Sequence, residues 1–448
     1  MDGAVLDGRW EAAPCGADRA VQPPPGERPL KVGVLVDLTL TLDAGGHVKC
    51  WERIAEAAVA FPDQLDLTVH FNAPDEAPTP RRIELSPSVR YVLLPPVFST
   101  RRLIRQVPDH TDLGFWHKHL ARALPAYDVI HTTDAFFCYA RTATRFSGRT
   151  GTPVVSSIHT NTPEYARITV ERLLGQMLGE GRLFRLASRR LGLPSRVSGI
   201  LERRLHHHLA RVSMAMASYG GGKREDDWHC GVSLRRGFDR GLFDPGKRDR
   251  AWLAARFGIP ADQFVVMYAG KLNSGKNVPL LGPAINSARR SGLPIHLLCA
   301  GKGEDRDALA ACLGASITLP GVLPQDELAR AYASADLFVF PSMIDESGNA
   351  AVEALASGVP ALLAAGSGVA TRMADCPAVR VLPGDAPQLW AAAITDFAAQ
   401  PETCRALGAQ ARAYTETAVP CWREVVAEDL LPVWRAAATM RRLGAKSR

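Results

Sequence analysis

The segment DLFVFPSMIDESGNAAVEALASGVPALLAA, residues 336–365, shows how this chain is built. An apolar run is followed by a polar loop, a helix-forming stretch and a second apolar run. Short apolar runs joined by helices are typical of parallel strands that are buried on both faces of a sheet. The segment therefore predicts one strand–helix–strand unit of an α/β domain.

The same pattern recurs along most of the chain on both sides of a charged stretch, residues 234–250, that contains glycine and proline. Two doubly wound, Rossmann-like parallel-sheet domains that face a cleft are the architecture this repetition predicts. The predicted strands of the first series are KVGVLVDL from Lys31, LTVHFN from Leu67, VRYVLLP from Val89, DVIHTT from Asp128, PVVSSIH from Pro153 and VSMAMAS from Val212. Those of the second series are FVVMYAG from Phe264, PIHLLCAG from Pro294, SITLPG from Ser316, DLFVFPS from Asp336 and VPALLAA from Val359.

The composition is that of an ordinary globular protein. Of 448 residues, 46% are hydrophobic and 22% are charged, which excludes collagen-like and wholly disordered chains. No stretch is apolar enough to predict a membrane span, and the acidic N-terminus does not resemble a signal peptide. The nine cysteines show no CxxC spacing. We therefore expect a reduced, cytoplasmic protein without a structural zinc site.

The net charge of +7 comes entirely from the first 250 residues and is concentrated in residues 182–211, which hold eight arginines and one acid, Glu202. One interpretation is a solvated helical face. Leucines and other apolar residues alternate with these arginines, however, and a basic amphipathic stretch of this kind suits an anionic membrane surface better than a nucleic acid. The candidate membrane contacts are Arg189, Arg190, Arg203 and Arg204.

A phosphate-binding loop is predicted after the strand FVVMYA, where residues 270–277 read GKLNSGKN. Backbone N–H groups and the ammonium groups of Lys271 and Lys276 would converge on one anion. The spacing matches a P-loop, but Asn277 stands where a P-loop has the hydroxyl that holds magnesium. A plain strand–helix turn with surface lysines is the simpler alternative.

A second candidate site follows the strand DLFVF. Asp345 and Glu353 flank Gly348, which begins a helix whose first amides, over residues 348–350, are free to bind a ligand. Glu353 lies among small apolar residues, and a buried carboxyl group needs a polar partner, which a ribose diol would provide. A capping acid with a surface glutamate is the alternative reading.

Taken together, these motifs resemble those of the retaining family-four (group 1) glycosyltransferases, which have the GT-B fold. The resemblance extends over residues 31–435. It includes Gly45-Gly46-His47, the DVIH strand from Asp128, Ser157 to Thr160, Arg236 to Asp239, Gly270 to Leu272, Lys276-Asn277, Gly301 to Gly303 and the segment from Pro341 to Pro360. Two positions differ from the family pattern, since Lys271 replaces an arginine and Asp345 replaces a glutamate.

The resemblance implies domain bounds and a site. It places an acceptor domain at 29–245 after a disordered tail at 1–28, a nucleotide-sugar domain at 246–420, and a helix at 421–448 that packs back on the first domain. The implied catalytic residues are His159, Asp345, Lys271 and Lys276. The implied donor-binding residues are Gly45, Gly46, Lys271, Lys276, Asp345, Ser347, Gly348, Asn349 and Glu353.

The activity that the resemblance implies is hexosyl transfer from a nucleotide-diphosphate sugar to a lipid-linked or glycan acceptor, with retention of configuration. No tightly bound cofactor, metal site or divalent-metal requirement is expected, and no nucleic-acid partner. The expected location is cytoplasmic, with peripheral contact at the inner face of the cell membrane. A nucleotide-sugar epimerase or phosphorylase-like enzyme, a catalytically silent sugar-nucleotide or glycan-binding protein and an ATPase remain alternatives, and the sequence does not identify the sugar, base or acceptor.

Overall fold

Two parallel sheets form the frame of the molecule. The computed structural model describes residues 28–41, 44–74, 80–100, 111–159, 191–217, 232–343 and 348–446, with short pieces between 162 and 188. The predicted tail at 1–28 lies, except for its last residue, outside the described residues. Each of the eleven predicted apolar runs contains a strand, which confirms the two-domain α/β architecture.

The first sheet has the strand order β3-β4-β2-β1-β5-β6-β7-β8, and only the pairing of β3 with β4 is antiparallel. Its strands are β1 (Leu30–Thr39), β2 (Leu65–Asn72), β3 (Arg81–Ser86), β4 (Val89–Leu94), β5 (Val129–Thr132), β6 (Val154–Ile158), β7 (Met214–Ala217) and β8 (Val232–Ser233). Its helices are α1 (Gly46–Ala58), α2 (Lys118–Ala123), α3 (Cys138–Thr150) and α4 (Leu193–Leu209).

The second sheet is wholly parallel, with the order β11-β10-β9-β12-β13-β14. Its strands are β9 (Phe264–Ala269), β10 (Ile295–Ala300), β11 (Ile317–Gly321), β12 (Leu337–Phe340), β13 (Ala361–Ala364) and β14 (Val379–Leu382). Its helices are α5 (Arg250–Phe257), α6 (Leu281–Arg289), α7 (Arg306–Leu313), α8 (Gln325–Ser334), α9 (Asn349–Ala356), α10 (Gly368–Arg372), α11 (Pro387–Ala398) and α12 (Pro401–Ala418).

Three strands were not predicted. Arg81–Ser86 is a charged strand at the edge of the first sheet, and Val232–Ser233 has only two residues. Val379–Leu382 is the edge strand of the second sheet and is only partly buried. Edge and short strands carry little apolar signal because at most one face is covered.

The C-terminal segment packs on the first domain, as expected. It consists of α13 (Trp422–Glu424), a π-helical turn (Val425–Leu430) and α14 (Leu431–Lys446). Val425, Leu430 and Trp434 are buried in the same core as the strands of the first sheet. Arg235, which leaves the first domain, donates to Asp429 in this segment at 2.7 Å. The outgoing and returning chains therefore lie side by side.

The order of the second sheet places its switch point between β9 and β12, where the connections run in opposite directions. Ligands of open parallel sheets bind at such a point, beyond the carboxyl ends of the strands. The loops after β9 and β12 are the ones that carry Lys271, Lys276 and the acidic pair. The fold thus brings the two motifs predicted from sequence to one edge.

Candidate functional site

The loops that follow β9 and β10 are held together backbone to backbone. Leu272 N donates to Lys302 O at 2.8 Å, and Gly270 N donates to Ala300 O at 2.9 Å. A Cβ atom at Gly301 would lie 1.9 Å from Gly270 O, and one at Gly303 would lie 2.0 Å from Leu272 O. These two glycines are therefore required by the close approach of the loops.

Asn277 fixes the loop that carries the two lysines. Its backbone is left-handed, with φ of 55°, and its side-chain amide donates to Pro341 O at 3.2 Å and to Gly384 O at 2.6 Å. Lys271 and Lys276 are both half-buried on this loop. Two 3-10 turns follow, and helix α6 begins only at Leu281, so within this described loop the lysines are not directly followed by the N-terminus of an α-helix.

Gly348 begins helix α9 in a left-handed conformation, with φ of 55°. A Cβ atom at this position would lie 2.3 Å from Val369 Cβ, so only glycine fits. Asn349 follows, and its buried Oδ1 has no hydrogen-bond partner within the described ranges. Asp345 and Ser347 lie outside the described residues.

Glu353 on helix α9 is a carboxyl group with a strongly perturbed environment. Burial raises its pKa to about 7, while Arg53 on helix α1 and a hydrogen bond from Tyr332 act in the opposite direction. Tyr332 Oη donates to Glu353 Oε2 at 3.3 Å. Arg53 belongs to the first domain, so the pKa of Glu353 depends in part on a charge from the other domain.

His159 follows strand β6 and is 5% exposed. Arg236 Nη2 donates to its Nδ1 at 3.0 Å, while Ser157 Oγ and Trp51 Nε1 lie 2.7 and 3.3 Å from its Nε2. Burial, assisted by His47, Arg236 and other neighbours, lowers the pKa of His159 well below its usual value near 6.5. The ring is neutral at pH 7, and both of its nitrogens have protein partners.

The hydrogen bonds continue from His159 to the C-terminal helix. Ser157 Oγ lies 2.8 Å from His131 Nε2, and Trp434 Nε1 donates to His131 Nδ1 at 2.9 Å. Burial lowers the pKa of His131 to about 3. A buried polar chain thus links Trp434 of helix α14 to the cleft.

His47 lies over the same ring. The His47 and His159 ring centroids are 4.4 Å apart and the planes are inclined by 21°. Burial, together with the charge of Arg236, lowers the pKa of His47 to about 3. Gly45 and Gly46, which are predicted to face the donor, directly precede His47 in the chain. Gly45 is the N-cap residue of helix α1, and Gly46 is the first residue of that helix.

The predicted membrane contacts are only partly visible. Arg203 and Arg204 are exposed on helix α4, while Arg189 and Arg190 lie outside the described residues. The same helix also has a buried side, where His208 is 6% exposed and its Nε2 lies 3.1 Å from Ser156 Oγ. In the parts of the chain that the structure describes, no helix has the length and apolarity needed to cross a membrane.

The predicted residues therefore fall into two groups. Lys271, Lys276, Gly348 and Glu353 lie at the switch point of the second sheet, and His159 lies at the first sheet. The sequence did not reveal five residues that contact or influence Glu353, His131 and His159, namely Arg53, Tyr332, Trp434, His47 and Arg236. Of these, only His47 and Arg236 lie in the motifs quoted above. Within the described ranges, no three His, Cys, Asp or Glu side chains are grouped to hold a metal ion.

Comparison with known proteins identifies the class. Residues 250–414 match the model of the family described as glycosyl transferases group 1. The second domain of this chain is thus similar to that of the group 1 glycosyltransferases. The matched region contains the switch-point loops of the second sheet, including Lys271, Lys276 and Glu353.

The curated relatives of this chain are named as glycosyltransferases. A D-inositol 3-phosphate glycosyltransferase of Segniliparus rotundus is 32% identical over 210 residues, which is 45% of this chain and 46% of the relative. D-inositol 3-phosphate glycosyltransferase 1 of Catenulispora acidiphila is 28% identical over 439 residues, which is 92% of this chain and 97% of the relative. The chain thus spans under half of the first relative and nearly all of the second.

Solved structures show that this chain has the GT-B fold. Sucrose-phosphate synthase from Thermosynechococcus elongatus superposes with a TM-score of 0.62 at 19% identity, covering 93% of this chain and 98% of that one. Alr3699/HepE of Anabaena, in complex with UDP and glucose, superposes with a TM-score of 0.58 at 15% identity, covering 94% and 100%. These similarities confirm the fold class predicted from sequence.

Proposed function

We propose that this glycosyltransferase moves a hexose from a nucleotide-diphosphate sugar to a hydroxyl group of a lipid-linked or glycan acceptor, with retention of configuration. The observation that carries the proposal is the grouping of Lys271, Lys276 and Glu353 at the switch point of the second sheet. Cations and a carboxyl group at this edge match the diphosphate and the ribose of such a donor.

Each part of the site has a task in this reaction. Lys271 and Lys276 would stabilise the negative charge that grows on the diphosphate as it leaves. Glu353 would bind the ribose hydroxyl groups, and Asp345, Ser347, Asn349 and the amide of Gly348 would bind the donor sugar. These contacts supply orientation and charge, which is what a reaction with a departing diphosphate needs.

On the side of the first domain, the glycine pair Gly45-Gly46 would allow the backbone to approach the phosphate. His159 is proposed to face the transferred sugar. Its low pKa makes it a hydrogen-bonding group rather than an acid or base at pH 7, and a sugar hydroxyl would have to displace one of its present partners. Retention then fits a reaction in which the leaving phosphate accepts the proton of the acceptor.

Lys276→Ala and Glu353→Ala test the donor site. Removing a charge-assisted contact costs about 1.5–3 kcal/mol, so we expect UDP to bind roughly ten- to a hundredfold more weakly to either variant. Transfer from a UDP-sugar to D-inositol 3-phosphate, the acceptor in the names of the curated relatives, is the first activity to measure. Variants with unchanged UDP affinity and full activity would refute this site.

We further propose that the arginine-rich stretch 182–211 binds the anionic inner face of the cell membrane. Arg203 and Arg204 are exposed there, and so is Ile200, with 45% exposure. A basic face with apolar residues is the arrangement that binds such a surface.

The vesicle test compares the wild type with Arg203→Gln/Arg204→Gln in sedimentation with anionic vesicles. Each arginine contributes about 1 kcal/mol near such a surface, so the double variant should bind roughly tenfold or more weakly, with the difference shrinking at high salt. Arg405→Gln, which removes an exposed arginine paired with Glu402, is the matched control. Equal sedimentation of all three proteins would contradict the membrane proposal.

A further inference from the structure

Arg236 is a buried cation with no matching anion among the residues that the structure describes. Its side chain is only 4% exposed, and its Nε and Nη1 atoms have no hydrogen-bond partner within those same ranges. The remaining nitrogen, Nη2, donates a hydrogen bond to Nδ1 of the His159 ring at 3.0 Å. No carboxylate forms an ion pair with Arg236 in the part of the chain that the structure describes.

The nearest sulfur does not balance this charge. Cys50 lies close enough to feel the charge of Arg236, but burial raises the pKa of its thiol, so Cys50 is neutral at pH 7. A buried charge that is left uncompensated destabilises the free protein. An anionic ligand would compensate this charge.

A second unpartnered group lies beside it. His47 stacks on His159, and its Nε2 atom is buried without a hydrogen-bond partner among the described residues. His47 and Cys50 both lie near the N-terminal end of helix α1, a helix of 13 residues whose partial positive charge also favours an anion. Three independent features around one ring thus favour the same kind of ligand.

We propose that Arg236 and His47 form a phosphate-binding subsite on the first-domain side of the cleft, separate from the lysines of the second domain. The proposal rests on the nucleotide-sugar function given above. Arg236 would donate from its two unpartnered nitrogens, and His47 Nε2 would supply one further hydrogen bond. The phosphate belongs either to the donor diphosphate or to a phosphorylated acceptor, since both present the same oxygens.

Arg236→Met tests the subsite because methionine has similar length but neither charge nor donors. The probes are UDP, uridine, and inorganic phosphate added to UDP-saturated protein. If the donor diphosphate is bound, UDP affinity should fall about ten- to a hundredfold with uridine affinity unchanged. If an acceptor phosphate is bound, UDP affinity should stay and inorganic phosphate affinity should fall by a similar factor.

Thermal stability separates this role from a structural one. Without ligand, Arg236→Met should be no less stable than the wild type, because the substitution removes an unpaired buried charge. Arg235→Gln is the matched control, since Arg235 is bound to Asp429 and Glu428. It should lose stability but keep phosphate affinity.

His47→Phe keeps the ring that stacks on His159 but removes its nitrogens, and it should weaken the same probe as Arg236→Met by a smaller factor. If Arg236→Met binds both UDP and inorganic phosphate with unchanged affinity, the subsite proposal is wrong. In that case the proposed donor site still holds, provided that Lys276→Ala weakens UDP binding. A wild type that binds neither probe would overturn both proposals.

Discussion

At the residue scale, the polar groups that matter here are buried and perturbed. Glu353 and His159 were singled out from the sequence because a polar side chain followed or interrupted an apolar run. The structure adds the cause of their altered chemistry, namely burial together with Tyr332, Arg53 and Arg236. The sequence could not show these neighbours because each belongs to a distant element.

Glu353 should make the stability of the free protein depend on pH. Its folded-state pKa of about 7 lies above its usual value near 4.5, so the folded protein holds a proton that the unfolded chain has lost between these two values. The free energy of unfolding should therefore fall as the pH rises from 4.5 to 7. Glu353→Gln, which resembles the protonated form, should lose that part of the decline.

The measurement is urea unfolding of the wild type and Glu353→Gln at pH 5 and pH 8. The variant should gain relative stability at pH 8, by an amount on the order of 1 kcal/mol or more. An equal pH dependence in both proteins would show that Glu353 is ionised throughout this range.

At the element scale, the loops at the switch point are fixed by backbone contacts as well as by side chains. Gly301 and Gly303 belong to the motifs that resemble the family, and the structure shows that both glycines are needed for the close contact with the loop at 270–272. Asn277 ties the lysine loop to the ends of two other strands. The position of the lysines therefore depends on three loops at once.

Asn277→Ala should weaken UDP binding although it removes no charge. Loss of the two amide hydrogen bonds and strain at a positive φ should together cost about 1–3 kcal/mol of stability, and the displaced lysines should lower UDP affinity several-fold. Asn277→Gly relieves the strain but not the lost hydrogen bonds, so it separates the two effects.

The matched control is Asn286→Ala. Asn286 donates a similar amide hydrogen bond to Cys312 O at 3.0 Å, outside the loops of the switch point. Its UDP affinity should equal that of the wild type. An Asn277→Ala variant with wild-type UDP affinity would show that the lysine loop holds its position without this clamp.

At the scale of the whole molecule, the returning C-terminal segment joins the domains. It packs on the core of the first sheet, and its Asp429 and Glu428 accept hydrogen bonds from Arg235. Its Trp434 donates a hydrogen bond to His131. Cys421 also forms a β-bridge with Phe238, next to Arg236. The segment thus supports the same buried polar chain that reaches His159.

Trp434→Ala should destabilise the protein by about 3–5 kcal/mol, because Trp434 is fully buried. Trp434→Phe keeps most of the apolar volume but leaves His131 Nδ1 without its donor, which should cost about 1–3 kcal/mol. Met440→Ala, on the same helix at a residue that is 51% exposed, should change stability little. Chemical unfolding of the three variants checks this order, and equal stability of Trp434→Ala and Met440→Ala would contradict it.

The family resemblance implied the returning C-terminal helix. The sequence by itself determined eleven of the strands, the two-sheet architecture and the loops that lie at the switch point. These follow from local patterns, since apolar runs and glycine turns are dictated by burial and backbone geometry nearby in the chain. The tertiary structure alone decided which distant groups lie near one another: Trp434 beside His131, Arg236 and His47 around His159, and Glu353 within the electrostatic influence of Arg53. Such contacts depend on how two domains and a returning helix pack, and no periodicity in the sequence encodes them.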